Sequence, residues 1–322
     1  MRRSSLLILP IAGLAAASLA ACGGEGGSDG DGLNVVAAFY PLAYATEQVG
    51  GDDVAVTNLT PAGQEPHDLE LAPSDIAAIE EADYVVYLKG FIPELDAAVE
   101  EYAADKALDV TTAVDTIGYD STQVFEEDHE EEATEEEGDE HEHEELEGTD
   151  PHIWLDPVRY AQIGQAIADG LAGIDDVNAD SYATAADAFT ADLTELDAEF
   201  TDGLAGRTSD AIVTSHAAFG YLADRYGLTQ IAISGLSPDQ EPDTQRMAEV
   251  AQYVEDNAVT TIFFETLVSP DIAETLAAES GAQTAVLNPL EGLTDEQAEG
   301  GADYFTVMRE NLAALQTALG AA

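Results

Sequence analysis

Short apolar runs alternate with stretches of helical periodicity along most of the chain. Seven runs, mostly β-branched and bounded by Gly, Pro, Asp or Ser, predict strands at 34–39, 54–59, 84–88, 211–215, 230–234, 260–265 and 284–287. Between them, 73–82, 93–104, 157–172, 241–257 and 270–280 predict helices, several with proline in the first turn. Strand and helix in alternation imply parallel sheets with crossover helices, an α/β architecture.

One periodic stretch is longer than the rest. From Ala179 to about Gly203, apolar residues fall at Tyr182, Ala186, Phe189, Leu193, Leu196 and Phe200, in alternating steps of four and three. That spacing lays them on one stripe of a helix. About 24 residues span roughly 36 Å. The stretch divides the strands into an earlier and a later group. It reads as a rigid linking helix (175–205) between an N-terminal α/β lobe (33–174) and a C-terminal α/β lobe (206–322). The alternative is one long helix packed on a single domain.

The N-terminus breaks the alternation. Arg2 and Arg3 precede an apolar stretch, 6–19, which ends at Leu19-Ala20-Ala21-Cys22 and is followed by Gly23 and Gly24. These are the three parts of a secretory signal in order. The stretch is short for a membrane-spanning helix, which needs about 20 residues. Leu-Ala-Ala-Cys resembles a bacterial lipobox, so 1–21 reads as a leader, Cys22 as the lipidated first residue and 22–32 as a flexible tether. An ordinary signal peptide that contains a cysteine is the alternative. Cys22 is the only cysteine, so no internal disulfide can form.

Charge changes the picture further. The 322 residues are 45% hydrophobic, enough for a core, yet 66 acidic residues face 9 basic ones for a net charge of −57. Such a surface repels nucleic acid, whose binding needs Lys and Arg. It attracts cations, though it also serves solubility alone. The segment 126–147 is almost wholly Glu and Asp, with His129, His141 and His143 interspersed. Self-repulsion predicts a disordered loop, 126–149, in the N-terminal lobe. Its histidines either collect metal weakly or sit in a merely solvated insertion.

Three histidines remain: His67, His152 and His216. His67 lies in the loop after the strand 54–59, His216 directly follows 211–215, and His152 precedes a helix start. Ligands in open α/β sheets bind beyond the carboxyl ends of strands, so these positions can converge on one cleft. Past the last strand comes Glu291, followed by Gly292. Three imidazoles and a carboxylate make an N/O set suited to Zn²⁺, whereas Mn²⁺ favours more oxygens. Glu65, close to His67, is the other candidate for the fourth ligand, as is water. A zinc hydrolase is the competing class, but no His-Glu-x-x-His motif is present.

Four segments carry a resemblance: Pro66-His67-Asp68-Leu69-Glu70, Asp150-Pro151-His152-Ile153-Trp154-Leu155-Asp156-Pro157, Ser215-His216-Ala217-Ala218-Phe219-Gly220-Tyr221 and Leu287-Asn288-Pro289-Leu290-Glu291. Together with an acidic, His-containing segment before the second histidine, they resemble the zinc-specific solute-binding lipoproteins of bacterial ABC importers. The resemblance covers nearly the whole chain after the leader. It implies two α/β lobes joined by a long helix, with a metal cleft between them and His67, His152 and His216 as ligands. It also implies a monomeric, extracytoplasmic, membrane-anchored capture protein, not an enzyme, working with an ABC permease and its ATPase. Within the same architecture a Mn²⁺ or Fe²⁺ binder is the alternative, and a zinc-containing surface adhesin is another.

Overall fold

The computed structural model describes residues 32–119, 148–240 and 242–321. The expected leader, Cys22, nearly all of the tether, and the acidic segment with His129, His141 and His143 lie outside the described residues. In the first half, β1 (Leu33–Ala37), β2 (Val54–Asn58), β3 (Tyr84–Tyr87) and β4 (Ala107–Asp109) form a wholly parallel sheet in the order β2-β1-β3-β4. The crossovers are α1 (Tyr40–Gly50), α2 (Pro73–Glu81) and α3 (Pro93–Tyr102). Each begins with proline at its first or second position, where a missing N–H costs nothing and the fixed φ suits a helix. Pairing with neighbours on both sides buries the central strands, so Val35, Val36, Val85 and Val86 are all in the core.

Two helices follow, α4 (Pro157–Ile174) and α5 (Ala179–Gly203). All six residues of the α5 stripe named from periodicity are buried. The helix packs against α4 and α1 on the side of the first half. Gly164 of α4 allows the closest approach, since a Cβ there would lie 2.8 Å from the Phe189 ring.

The second half repeats the plan of the first. Strands β5 (Ala211–Thr214), β6 (Thr229–Ala232), β7 (Thr261–Phe264) and β8 (Gln283–Val286) form a parallel sheet in the order β6-β5-β7-β8. Their crossovers are α6 (Gly220–Tyr226), α7 (Thr244–Asp256) and α8 (Asp271–Ser280). Even the central register corresponds: Ala37 pairs with Val86 in the first sheet, and Thr214 with Phe263 in the second. Two more helices, α9 (Asp295–Gly300) and α10 (Tyr304–Leu319), complete the fold, and α10 returns to α5. The Arg309–Glu199 ion pair fastens that contact at 2.8 Å. One apolar core runs through both halves, and a smaller one, with Val213, Ile231, Val250, Ile262 and Leu276, lies within the second. Among the described residues, no helix is long and apolar enough to cross a membrane.

The expected helix 241–257 begins at Thr244, because the Asp243 side chain accepts the Arg246 N–H and caps it there. Helix α6 starts at Gly220. Ahead of it, residues 215–217 form the bend that carries His216.

Candidate metal centre

Each sheet delivers side chains from the carboxyl ends of its strands. The loop after β2 carries His67 on a short 3₁₀ turn, Pro66–Asp68. Pro66 starts that turn and the Glu65 side chain caps it, accepting the His67 N–H at 3.2 Å. Gly63, at φ +78°, donates its N–H to the Leu293 carbonyl at 2.7 Å, which pins this loop to the one past Glu291. Gly292 permits the same contact from the other side, for a Cβ there would lie 3.3 Å from the Gln64 carbonyl oxygen.

His152 immediately precedes a second 3₁₀ turn, Ile153–Leu155, ahead of α4. One oxygen of Asp150 accepts both its backbone N–H, at 2.9 Å, and its ring Nδ1–H, at 2.8 Å. His216 follows β5 and has the same arrangement with a different partner. One oxygen of Glu265, at the end of β7, accepts its backbone N–H at 3.2 Å and its Nδ1–H at 2.7 Å. Thr214 and Gln230 donate to the His216 carbonyl, so the bend is held from both sides. A carboxylate on Nδ1 fixes the tautomer and leaves Nε2 as the free nitrogen.

Both free nitrogens point at Glu291. Its Oε1 lies 3.0 Å from His152 Nε2, 3.1 Å from His216 Nε2 and 3.4 Å from His67 Nε2. The Nε2 atoms of His152 and His216 are 3.3 Å apart. One ligand atom from each of the four residues lies within 4.8 Å of every other. His152, His216 and Glu291 are buried, and the His67 side chain is 9% exposed, so the cluster meets solvent on the His67 side. The wall from the first half is aromatic: Phe91 meets the His67 ring edge-on at 4.4 Å, and Trp154 lies 5.4 Å from the His152 ring.

Packing four polar groups into a buried space perturbs all of them. Burial pushes the Glu291 carboxyl up, but His216, His67 and His152 outweigh it and hold Glu291 well below the usual carboxylate range. Burial opposes charge on His152 and His216 too. Their carboxylate partners, Asp150 and Glu291 for one and Glu265 and Glu291 for the other, nevertheless raise both above the ordinary imidazole value. Among the described residues no carboxylate meets the His67 ring Nδ1, and burial lowers the His67 pKa. Burial, reinforced by the charge of Glu291, lifts Glu65 from 4.5 to about 9. Glu65 is thus set to cap a turn as a carboxyl group, while Glu291 is the anion at the centre.

The donor set fits a small, borderline-soft cation. A tetrahedral ion with bonds of about 2.0–2.1 Å separates its ligands by about 3.3 Å. The closest separations here, 3.0 to 3.4 Å, bracket that value. Of the residues expected from the sequence, His67, His152, His216 and Glu291 come together, and Glu65 stands behind His67. Asp150 and Glu265 were not anticipated as partners of the histidines. For Asp150 the signal was a carboxylate two residues before His152, as Glu65 stands before His67. For Glu265 it was an acid closing an apolar strand.

Known proteins share this fold. A family described as zinc-uptake complex component A, periplasmic (ZnuA), matches residues 35–318. The zinc-binding lipoprotein AdcA of Streptococcus pneumoniae is 38% identical over 320 residues, which are 98% of this chain and 61% of that protein. The chain therefore spans about three-fifths of the length of this streptococcal relative. The high-affinity zinc uptake system protein ZnuA of Bacillus subtilis is 38% identical over 94% of this chain and 93% of its own. The crystal structure of the Zn(II)-bound ZnuA-like domain of S. pneumoniae AdcA superposes with a TM-score of 0.72 at 35% identity, covering 89% of this chain and 99% of that one. With the family match running through both lobes and the four-residue cluster, this chain belongs to the ZnuA family of zinc-uptake components.

Proposed function

We propose that the protein captures Zn²⁺ outside the cytoplasmic membrane and delivers it to the permease of an ABC importer, powered by that importer's ATPase. The carrying observation is the convergence of three imidazole Nε2 atoms on one oxygen of Glu291, at separations a tetrahedral zinc ion requires. In this reading His67, His152, His216 and Glu291 are the ligands, and the cation is cargo. In this reading all four groups of the cluster serve as ligands, which leaves none of them to act on a water. Capture without catalysis fits it better.

The remaining assignments rest on sequence and kinship. Cys22 is the lipid attachment point, and 22–32 tethers a monomeric binding unit made of lobes 33–174 and 206–322, joined by the helix 175–205. His129, His141 and His143 collect metal with low affinity ahead of the cleft.

Elemental analysis and calorimetry of the full chain in detergent, with Zn²⁺ and Mn²⁺ compared, test the proposal. One tight zinc site, weakened in His216→Ala and Glu291→Ala, is the expected result. A preference for Mn²⁺, or the absence of a tight site, would overturn it. Growth of a deletion strain under zinc limitation tests delivery, and normal growth would count against it.

A further inference from the structure

Glu291 reaches the histidines on a loop whose path its own residues disfavour. Leu290, the residue before it, has φ +58°, in the left-handed region that a branched side chain rarely adopts, and it is completely buried. Something must hold the chain in that conformation. The hydrogen bonds of the loop identify it. The Asn311 side chain on α10 accepts the Asn288 N–H at 2.8 Å and donates to the Asn288 carbonyl at 2.7 Å. One amide thereby occupies both backbone groups, as a neighbouring strand would, and continues the line of β8 past its last residue. The Asn288 side chain in turn accepts the Leu290 N–H at 2.7 Å, which fixes the turn at the left-handed residue. Trp154, two residues beyond His152, donates its indole N–H to the Pro289 carbonyl at 2.7 Å. Asn288 and Asn311 are both buried, so these bonds are sheltered from water.

We propose that Asn311 is a positioning residue for the Glu291 carboxylate: by gripping the Asn288 backbone it sets the Asn288–Leu290 turn that aims Glu291 at the three imidazoles. Asn311 touches none of the four ligands. Its effect passes through the backbone of Asn288 and the left-handed Leu290. A buried asparagine could also serve stability alone, and the two roles differ in what they do to metal affinity. The inference rests on the reading of Glu291 as a zinc ligand.

The test uses the full chain in detergent, with zinc affinity from chelator competition and coordination geometry from the visible absorption of the Co²⁺ form. Asn311→Asp is nearly isosteric; it keeps an acceptor for the Asn288 N–H but sets an oxygen against the Asn288 carbonyl. It should weaken zinc binding by about 10- to 100-fold, the usual range for groups that orient a ligand. The Co²⁺ absorption should fall in intensity as the carboxylate withdraws. In the Glu291→Ala background the same substitution should change affinity by less than about twofold, since the group it positions is gone. Asn288→Ala, which removes the acceptor for the Leu290 N–H, should show the same pattern and decides the matter if Asn311→Asp does not fold. A variant that melts lower but binds zinc like the parent overturns the proposal, as does an equal loss with and without Glu291. If Glu291→Ala itself binds zinc as tightly as the parent, the ligand assignment has failed instead.

Discussion

Replacing Asp150 by asparagine changes a charge and little else, which makes it a sharp probe of how His152 is prepared for a metal. One oxygen of Asp150 accepts two bonds from His152, at 2.9 Å from the backbone N–H and 2.8 Å from Nδ1–H. The amide oxygen of asparagine can accept both, so the geometry survives. Charge assistance does not. A hydrogen bond to a charged group contributes about 1.5–3 kcal/mol and a neutral one about 0.5–1.5 kcal/mol, so the ring bond loses about 1–2 kcal/mol. That loss falls on the metal, because the negative charge behind Nδ1 is what makes Nε2 a stronger donor. The expected change is about 5- to 30-fold in zinc Kd. The other oxygen, Oδ2, has no hydrogen-bond partner among the described residues, so the new NH₂ displaces no existing bond; left unpaired, it should lower stability by about 1–3 kcal/mol without redirecting His152. Chelator competition at pH 7 measures the affinity, and ¹⁵N spectra of the metal-free protein report the His152 tautomer. Equal affinity for parent and Asp150→Asn, with the tautomer unchanged, would refute the reasoning.

Glu265→Gln should act on His216 in the same way, since Glu265 makes the corresponding pair of bonds, and competition titration would read the loss. Zinc affinity should rise with pH beyond the ordinary imidazole value of 6.5. His152 and His216 are both raised by their carboxylate partners against the effect of burial, so incoming metal displaces protons that persist above that pH. Calorimetry in buffers of different ionisation enthalpy counts the protons released, and no release would sink this account. The same shifts set the stability of the metal-free protein. A raised folded-state pKa stabilises fully below the unfolded value and the contribution is lost as pH climbs through the folded one, so its Tm should fall above pH 6.5. The carboxyl of Glu65, raised by burial and then by Glu291 to about 9, pushes in the same direction. Gly164→Ala should cost about 1–3 kcal/mol by driving a Cβ into Phe189. Its zinc Kd should stay at the parent value, and an unchanged melting curve would show that the α4–α5 contact gives way easily.

The sequence made the architecture legible because each half alternates apolar strands with helices started by proline. All seven strands expected from pattern exist, with ends shifted by up to two residues. The missing eighth, β4, is three residues long and only half-buried, too little for any period to register. Helix α1 escaped for the opposite reason: seven of its 11 residues are buried, which leaves no clean polar face against which to read a stripe. Helix α10 was not among the expected helices, although its buried stripe at Tyr304, Val307, Met308, Asn311, Leu312, Leu315 and Leu319 is as regular as that of α5. The metal centre divides differently. The histidines were conspicuous because imidazoles are scarce in this chain. Their supporting acids were hidden among the chain's 66 acidic residues, and only the fold tells Glu265 from its neighbours.

The matched registers of the two sheets carry a consequence for how a binding surface gains its character. Counting outward from the paired residues Ala37 and Val86, and from Thr214 and Phe263, Phe39 occupies the place of His216 and Leu88 the place of Glu265. All four side chains are almost fully shielded from water. A single pair of lattice points therefore hosts an imidazole–carboxylate couple in one half and two hydrocarbon groups in the other, on backbones of the same topology. At these two corresponding positions the difference between hydrocarbon and ionic character is thus written in side chains placed on a duplicated frame.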